Sequence, residues 1–352
     1  MNNLKLLLLL SSFIIISCVP VEPEDDDVIE GGGVVTSKRL QADLTCLMKE
    51  VYGENPVAKK RTRTLDFIVD RMKQGFDEYG INTHIERAHL LAQMTHESDG
   101  FSATVERRLR DNWRELFTGN ANIWRCDEYL DAVNDDDSFF DNSYVFSKNS
   151  YKSKFRGRGV IQLTGCFNYL GFLYHKSAKE NGDSVKADKH RTFFQYSSGS
   201  SRVSVGMFCS DGALSALENE FRKEGLEINP GEFINDFENT GDELALPCAS
   251  RGVASMTSRE FIVDSSMWYW KKCQNGSYFK PYVGVNSDQA VARMSECVHG
   301  KHSTYQNYAS INCSVTNSDW RKQSYCNRRK AFKAAASCLA RSDGEVPELA
   351  EK

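Results

Sequence analysis

Apolar positions recur at helical spacing through much of the chain. In TLDFIVDRMKQGFDEY, residues 64–79, Leu65, Phe67, Ile68, Met72 and Phe76 keep close to a 3.6-residue period, predicting an amphipathic helix. Gly80 follows where a helix C-cap belongs. Thr83 then reads as an N-cap, with Glu86 three residues on as its capping-box partner. The helix that starts there has a broad apolar face of Ile85, Ala88, Leu91, Ala92 and Met94. Its other face is a stripe of His89, Gln93, His96 and Glu97, and Ser98-Asp99-Gly100 predicts its end. Further helices are expected at residues 260–273 (EFIVDSSMWYWKKC) and at about 326–340. Residues 175–250 are mostly polar and predict loops, short helices and one hairpin near Val203–Phe208. The pattern as a whole is that of a mainly α protein with long loops.

The ends of the chain read differently. MNNLKLLLLLSSFIIISC has one early lysine and an apolar run from Leu6 to Ile16, the form of a secretory signal over residues 1–17. The run is too short to span a bilayer comfortably. Ser17-Cys18 at its end resembles a bacterial lipobox, which implies a lipid on Cys18 and a membrane anchor through it; a conventional signal peptide cut near Ser17 is the alternative. Residues 18–37 (CVPVEPEDDDVIEGGG onward) have nothing to build a core from and predict a self-repelling tether. The folded domain is expected over 38–342, followed by a disordered tail at 343–352.

Cysteine usage agrees with export. Of eleven cysteines, ten remain once Cys18 is set aside, and an even number spread widely predicts disulfides in an oxidising compartment. No CxxC occurs and no histidine sits at ligand spacing from a cysteine pair, so neither a metal site nor a cofactor is expected. A net charge of −4 gives no argument for a nucleic-acid partner.

The chemistry concentrates around AHLLAQMTHESDGFSATVERR, residues 88–108. Glu97 stands at a helix C-terminus, where the dipole disfavours an anion, on a stripe otherwise without charge. Glu106 follows nine residues later, beyond a turn. Two carboxyls so joined can face each other across a cleft, as inverting glycoside hydrolysis requires at ~6.5–9.5 Å. Spacing alone is weak evidence for this. Downstream, FRGRGVIQLTGCFNY (155–169) lacks the GK[ST] ending of a phosphate loop. It reads as a glycine-rich loop running into a short strand, with Ile161 and Leu163 turned inward and Gln162 and Thr164 outward.

Together, FDEYGINTHIERAHLLAQMTHESDGF and FRGRGVIQLTGCFNY resemble glycoside hydrolase family 19, the chitinases and related endolysins, whose patterns run FGI-T-xx-R-xA-FLAQ-xx-HES-GGF and YGRG-xIQLTG-xx-NY. The resemblance implies a lysozyme-like α-helical fold. It implies that Glu97 is the general acid and Glu106 the general base. It gives Thr164 a part in holding the attacking water, makes Gln162 and Asn168 sugar-binding groups, and has His96 support the cleft. The chain departs from the pattern at Arg156, at Phe167 and around Glu106, where VERRLRDNW replaces EN-L-Y. Arg293, Arg328 and Arg329 fall in segments that only approximate the family's C-terminal part; any of them could reach the carboxylates and tune their pKa, with a surface position the default for each.

The implied reaction is hydrolysis of a β-1,4 bond between amino sugars. A lipoprotein tethered beside the wall has peptidoglycan as its nearest substrate, in the periplasm or at the outer membrane. The acidic run Asp135-Asp136-Asp137 suggests a cleft favouring de-N-acetylated glycan. A chitinase acting on chitin or chitosan, and a non-catalytic wall-binding lipoprotein, remain open at this point.

Overall fold

The structure, a computed structural model, describes residues 36–53, 56–101, 104, 157–183, 218–219, 221–223, 225–226, 257–299, 305–314 and 318–343. Cys18, Glu106, Asp135–Asp137 and the expected hairpin at 203–208 lie outside them. Among the described residues are seven α-helices with defined ends, further helical residues at 218–219 and 221–223, and two short 3-10 turns, with no strand among them. The helices are α1 (Ser37–Tyr52), α2 (Pro56–Glu78), α3 (His84–Glu97), α4 (Cys166–Glu180), α5 (Ser258–Asn275), α6 (Asp288–His299) and α7 (Trp320–Asp343).

Local sequence chemistry sets most helix ends. Thr36 caps α1, its Oγ1 accepting from Arg39 N at 3.1 Å. α2 closes in a Schellman turn. Gly80 sits at φ 66° and Ile81 N donates to Phe76 O at 2.8 Å, while Ile81 and Phe76 are both buried. A residue in that left-handed position is cheapest as glycine. Thr257 and Glu260 form a reciprocal capping box at the start of α5. At α3 only half of the expected box forms. Thr83 accepts from Glu86 N at 3.2 Å, but the Glu86 carboxylate accepts from Trp270 Nε1 (3.3 Å) and Gln274 Nε2 (2.7 Å) on α5. Tertiary donors have taken the carboxylate that the local motif would use.

Two helices differ from the sequence pattern. α4, Cys166–Glu180, has no counterpart among the predicted helices, and its last turns fall in the stretch expected to hold loops and short helices. α7 starts at Trp320, six residues before the expected point, because Asp319 caps it by accepting from Arg321 N at 3.0 Å. The added turns bring Ser324 into the core-facing part of the helix.

α3 is the central element. Residues 88–95 are all buried, and its most extensive partner is α7, which also packs on α1 and α6. α2 and α5 pack together, and α5 carries α4 and α6. The core joins Leu40, Leu44 and Met48 of α1, Leu65, Ile68, Met72 and Phe76 of α2, and Trp270 of α5. Phe67, expected in this set, is only partly buried, with the Arg259 guanidinium 4.9 Å from its ring centre. Among the described residues three disulfides fasten the frame: Cys46–Cys338 ties α1 to α7, Cys273–Cys297 ties α5 to α6, and Cys313–Cys326 ties the segment before α7 to that helix. Long closures of this kind restrict the unfolded chain most, and 292 residues separate the first pair. No helix among the described residues is long and apolar enough to cross a membrane.

Candidate functional site

The polar stripe of α3 points into the protein. His89 and Gln93 are fully buried. His89 Nε2 lies 2.9 Å from Val285 O and its ring stacks on Phe332 at 4.1 Å. A carbonyl only accepts, so Nε2 carries the proton; Nδ1 is buried with no partner among the described residues. A second proton would have to sit on that apolar side, and burial holds the His89 pKa down at about 4. One turn on, Gln93 Nε2 faces Ser295 Oγ at 3.5 Å. Gln93 Oε1 and Glu97 Oε1 both accept from the guanidinium of Arg328 on α7. Arg328 is 1% exposed and Glu97 18%. A planar fork can span two acceptors one helical turn apart, which a lysine ammonium cannot do with the same geometry.

His96 completes this end of α3. Its Nε2 lies 2.8 Å from Ser324 Oγ, one turn before Arg328 on α7. Burial, and then the Arg328 charge, hold its pKa well below 6.5, so the ring is neutral. Both neighbouring side chains at the C-terminus of α3 are therefore held from the same face of α7.

The helix stops at Glu97 through an unusual turn. Asp99, Gly100 and Phe101 all have positive φ, at 48°, 67° and 61°. An aromatic residue in that region costs about 1–2 kcal/mol. The contacts that hold it there are on either side: Phe101 is buried in the core, and Ser98 Oγ accepts from Phe101 N at 2.8 Å while donating to Met94 O at 2.5 Å. Gly100 N closes the turn on Thr95 O at 2.6 Å. Glu97 thus stands at a rigid helix end rather than on a mobile loop.

The second predicted group is a tight loop, not a strand. Arg158 and Leu163 exchange two backbone hydrogen bonds, of 3.1 and 2.8 Å, as an isolated antiparallel bridge, and Gln162 turns the corner at φ 56°. The sidedness expected of a strand survives: Ile161 and Leu163 are buried, Gln162 and Thr164 half-buried. Thr164 Oγ1 donates to Gln162 O (2.8 Å), Gln162 Nε2 to Gly159 O (3.0 Å) and Asn168 Nδ2 to Thr164 O (2.7 Å). The three predicted polar residues therefore form one hydrogen-bonded unit. The glycines make it possible. A Cβ on Gly157 would lie 2.6 Å from Gln162 Oε1, and one on Gly159 2.7 Å from Ser265 Oγ. The buried Arg158, which sequence reasoning passed over, donates to Tyr169 Oη at 3.1 Å and fixes the loop to α4.

The loop also meets the chain that leaves α3. Gly159 N donates to Thr104 O at 2.7 Å, and Val160 N to Ile262 O of α5 at 3.3 Å. Thr104 is seven residues after Glu97 and two before Glu106. The structure thus unites Glu97 with His96 through α7, and Gln162 with Thr164 and Asn168 through the loop; Glu106 lies outside the described residues. Of the three candidate arginines only Arg328 contacts Glu97. Arg293 pairs with Glu296 at 2.9 Å, and Arg329 Nε with Asp288 at 2.6 Å. Gln93 and Ser324 also belong to the site and were not singled out. Gln93 was legible from its place in the stripe; Ser324 required the true start of α7.

Comparisons with protein-family models, with curated proteins and with solved structures find no match.

Proposed function

We propose that the protein is a lysozyme-like glycosidase that hydrolyses β-1,4 bonds between the amino sugars of peptidoglycan by an inverting, two-carboxylate mechanism. The observation that supports this reading is the pairing of HES with RGVIQLTG along the chain, together with the clasp of Glu97 by the buried Arg328, which marks that carboxyl as a placed group at the end of α3. A solvated surface glutamate has no use for a fully buried guanidinium aimed at it, and burying that cation is costly unless it is paired. The motif resemblance supports the same reading, as does the order of HES before RGVIQLTG along the chain.

In this reading Glu97 protonates the leaving glycosidic oxygen. The carboxylate it leaves behind is stabilised by Arg328, already in place and needing no reorganisation. Glu106 takes a proton from the water that attacks the opposite face, Thr164 helps to hold that water, and Gln162 and Asn168 bind sugar. His96 is neutral and bonded to Ser324, which suits a positioning role beside Glu97 better than proton transfer. The signal and lipobox pattern support a position at the cell envelope, with Cys18 as the lipid anchor. De-N-acetylated glycan is the preferred form of substrate if the acidic run at 135–137 borders the cleft.

Mass spectrometry of fragments released from purified sacculi, native and chemically de-N-acetylated, tests the proposal. Wild type should release disaccharide fragments with newly formed reducing ends, and Glu97→Gln should release about 10³-fold fewer per unit time. Release from chitin oligomers alone would point to a chitinase. Binding to sacculi without fragments from either protein would leave only a wall-binding role.

A further inference from the structure

α3 and α7 run antiparallel, and their side chains meet in a steady register. His89 stacks on Phe332, Gln93 accepts from Arg328, and His96 Nε2 lies 2.8 Å from Ser324 Oγ. Each turn forward on α3 is matched by one turn back on α7. The next step back is Trp320, the first residue of α7. Its counterpart would fall at Asp99 or Gly100, past the point where α3 ends at Glu97. Trp320 therefore continues the Arg328–Ser324 stripe beyond the end of α3, about 12 Å along α7 from Arg328.

Exposure changes sharply along this stripe. Phe332, Arg328 and Ser324 are buried, whereas Trp320 is 59% exposed, the most of any large apolar side chain among the described residues. Exposed apolar side chains scattered singly over a surface need no explanation. This one is continuous with the site and held in place. The Arg321 guanidinium carbon is 5.3 Å from its ring centre, and His299, the last residue of α6, meets it at 6.3 Å with the rings inclined at 66°. His299 also bears on the site itself, since its charge helps to depress the His96 pKa. An indole steadied by two neighbours and still open to solvent is a flat apolar surface prepared for a ligand.

A β-1,4-linked pyranose offers the matching shape. Its axial ring hydrogens form apolar C–H faces, whose slight positive charge suits the negative face of an indole. We infer that Trp320 is a stacking platform for a pyranose ring of the amino-sugar chain, at a subsite flanking the bond next to Glu97. The inference rests on the glycosidase reading above and deepens it, adding a substrate-binding residue that lies outside both sequence motifs.

The test titrates the Glu97→Gln protein, chosen so that the ligand survives, with peptide-free glycan strands prepared from peptidoglycan. Acrylamide quenching of tryptophan fluorescence is the readout. Bound glycan should shield an exposed tryptophan; Trp268 and Trp270 are buried and contribute little to such a change. Adding Trp320→Phe should abolish the shielding and keep most of the affinity, while adding Trp320→Ala should weaken binding about tenfold. Both should keep the melting temperature of the parent, because the ring is mostly exposed. With Glu97 intact, Trp320→Ala should raise KM and leave kcat nearly unchanged, the mark of a contact made equally in ground and transition states. Binding that is absent, or unchanged in Trp320→Ala, or that leaves the quenching unaltered, overturns the inference. So does shielding that grows with protein concentration without glycan, which would assign the ring to a second copy of the chain. The glycosidase reading fails separately: strand binding that depends on Trp320, without fragments from the wild type, rejects the enzyme and keeps the platform. Equal fragment release by wild type and Trp320→Ala at limiting glycan keeps the enzyme and rejects the platform.

Discussion

The two ends of α3 each hold a glutamate, and they treat it in opposite ways. Glu86, in the first turn, has the helix dipole in its favour yet is given neutral partners, an indole N–H and an amide, and burial raises its pKa. Glu97, in the last turn, has the dipole against it and is given a buried guanidinium. A dipole contributes a fraction of a kcal/mol to about 1 kcal/mol, so the tertiary partner decides each case. Glu86 is a structural tie between α3 and α5. Glu97 is half of a charged pair built at a helix end, and that asymmetry is what the proposed site role of Glu97 is argued from.

The sharpest way to break the comparison is to remove the cation. Arg328→Met leaves Gln93 Oε1 and Glu97 without their shared donor, and stability should fall by about 3 kcal/mol in urea denaturation. Arg328→Lys should recover only part of this, because a point charge does not span both acceptors. A loss below ~1 kcal/mol in Arg328→Met would mean the clasp is loose.

Acid should act on the same helix through His89. Its folded pKa of about 4 lies below the ordinary 6.5, so between these values the unfolded chain binds the extra proton. Stability is therefore lost as pH falls from about 6.5 towards 4, by up to about 3 kcal/mol for a shift of this size. His96, also lowered, adds in the same direction. Glu86, whose pKa is raised, works against both, since its protonation is easier in the folded state. Comparing the wild type with His89→Gln isolates the histidine: the variant keeps an N–H for Val285 O and should show a flatter acid limb. An unchanged limb would contradict the buried neutral ring.

The smallest effect is expected where the two glutamates are altered alike. Glu86→Gln keeps an acceptor for Trp270 and Gln274 and removes a desolvated charge, so its stability at pH 7 should change by less than about 1 kcal/mol, towards gain. Glu97→Gln strands Arg328 beside a neutral amide and should cost about 2 kcal/mol. Equal thermal shifts for the two would remove the contrast.

Much of this is legible in the sequence alone. The ends of α3 were readable because Thr83 and Ser98-Asp99-Gly100 act through local chemistry. The inward sidedness of Ile161 and Leu163 was readable from alternation, although the chain turns at Gln162 instead of running as a strand. What escaped depended on distant partners. Glu86 left its capping box for donors 184 and 188 residues away, and Arg328 reached Glu97 across 231 residues. No periodicity encodes which of three arginines does so. The start of α7 was missed because Asp319 caps a segment too polar to read as helix, and with it went Ser324.

The central claim is that Glu97 donates a proton to the leaving oxygen. A substrate that needs no such proton tests it most directly: the amino-sugar chain carried on 2,4-dinitrophenol, compared with the same chain joined by its natural β-1,4 bond. Glu97→Gln should cleave the activated bond within about tenfold of wild type while losing about 10³-fold on the natural one. Equal losses on both substrates would contradict the account and leave Glu97 a structural partner of Arg328.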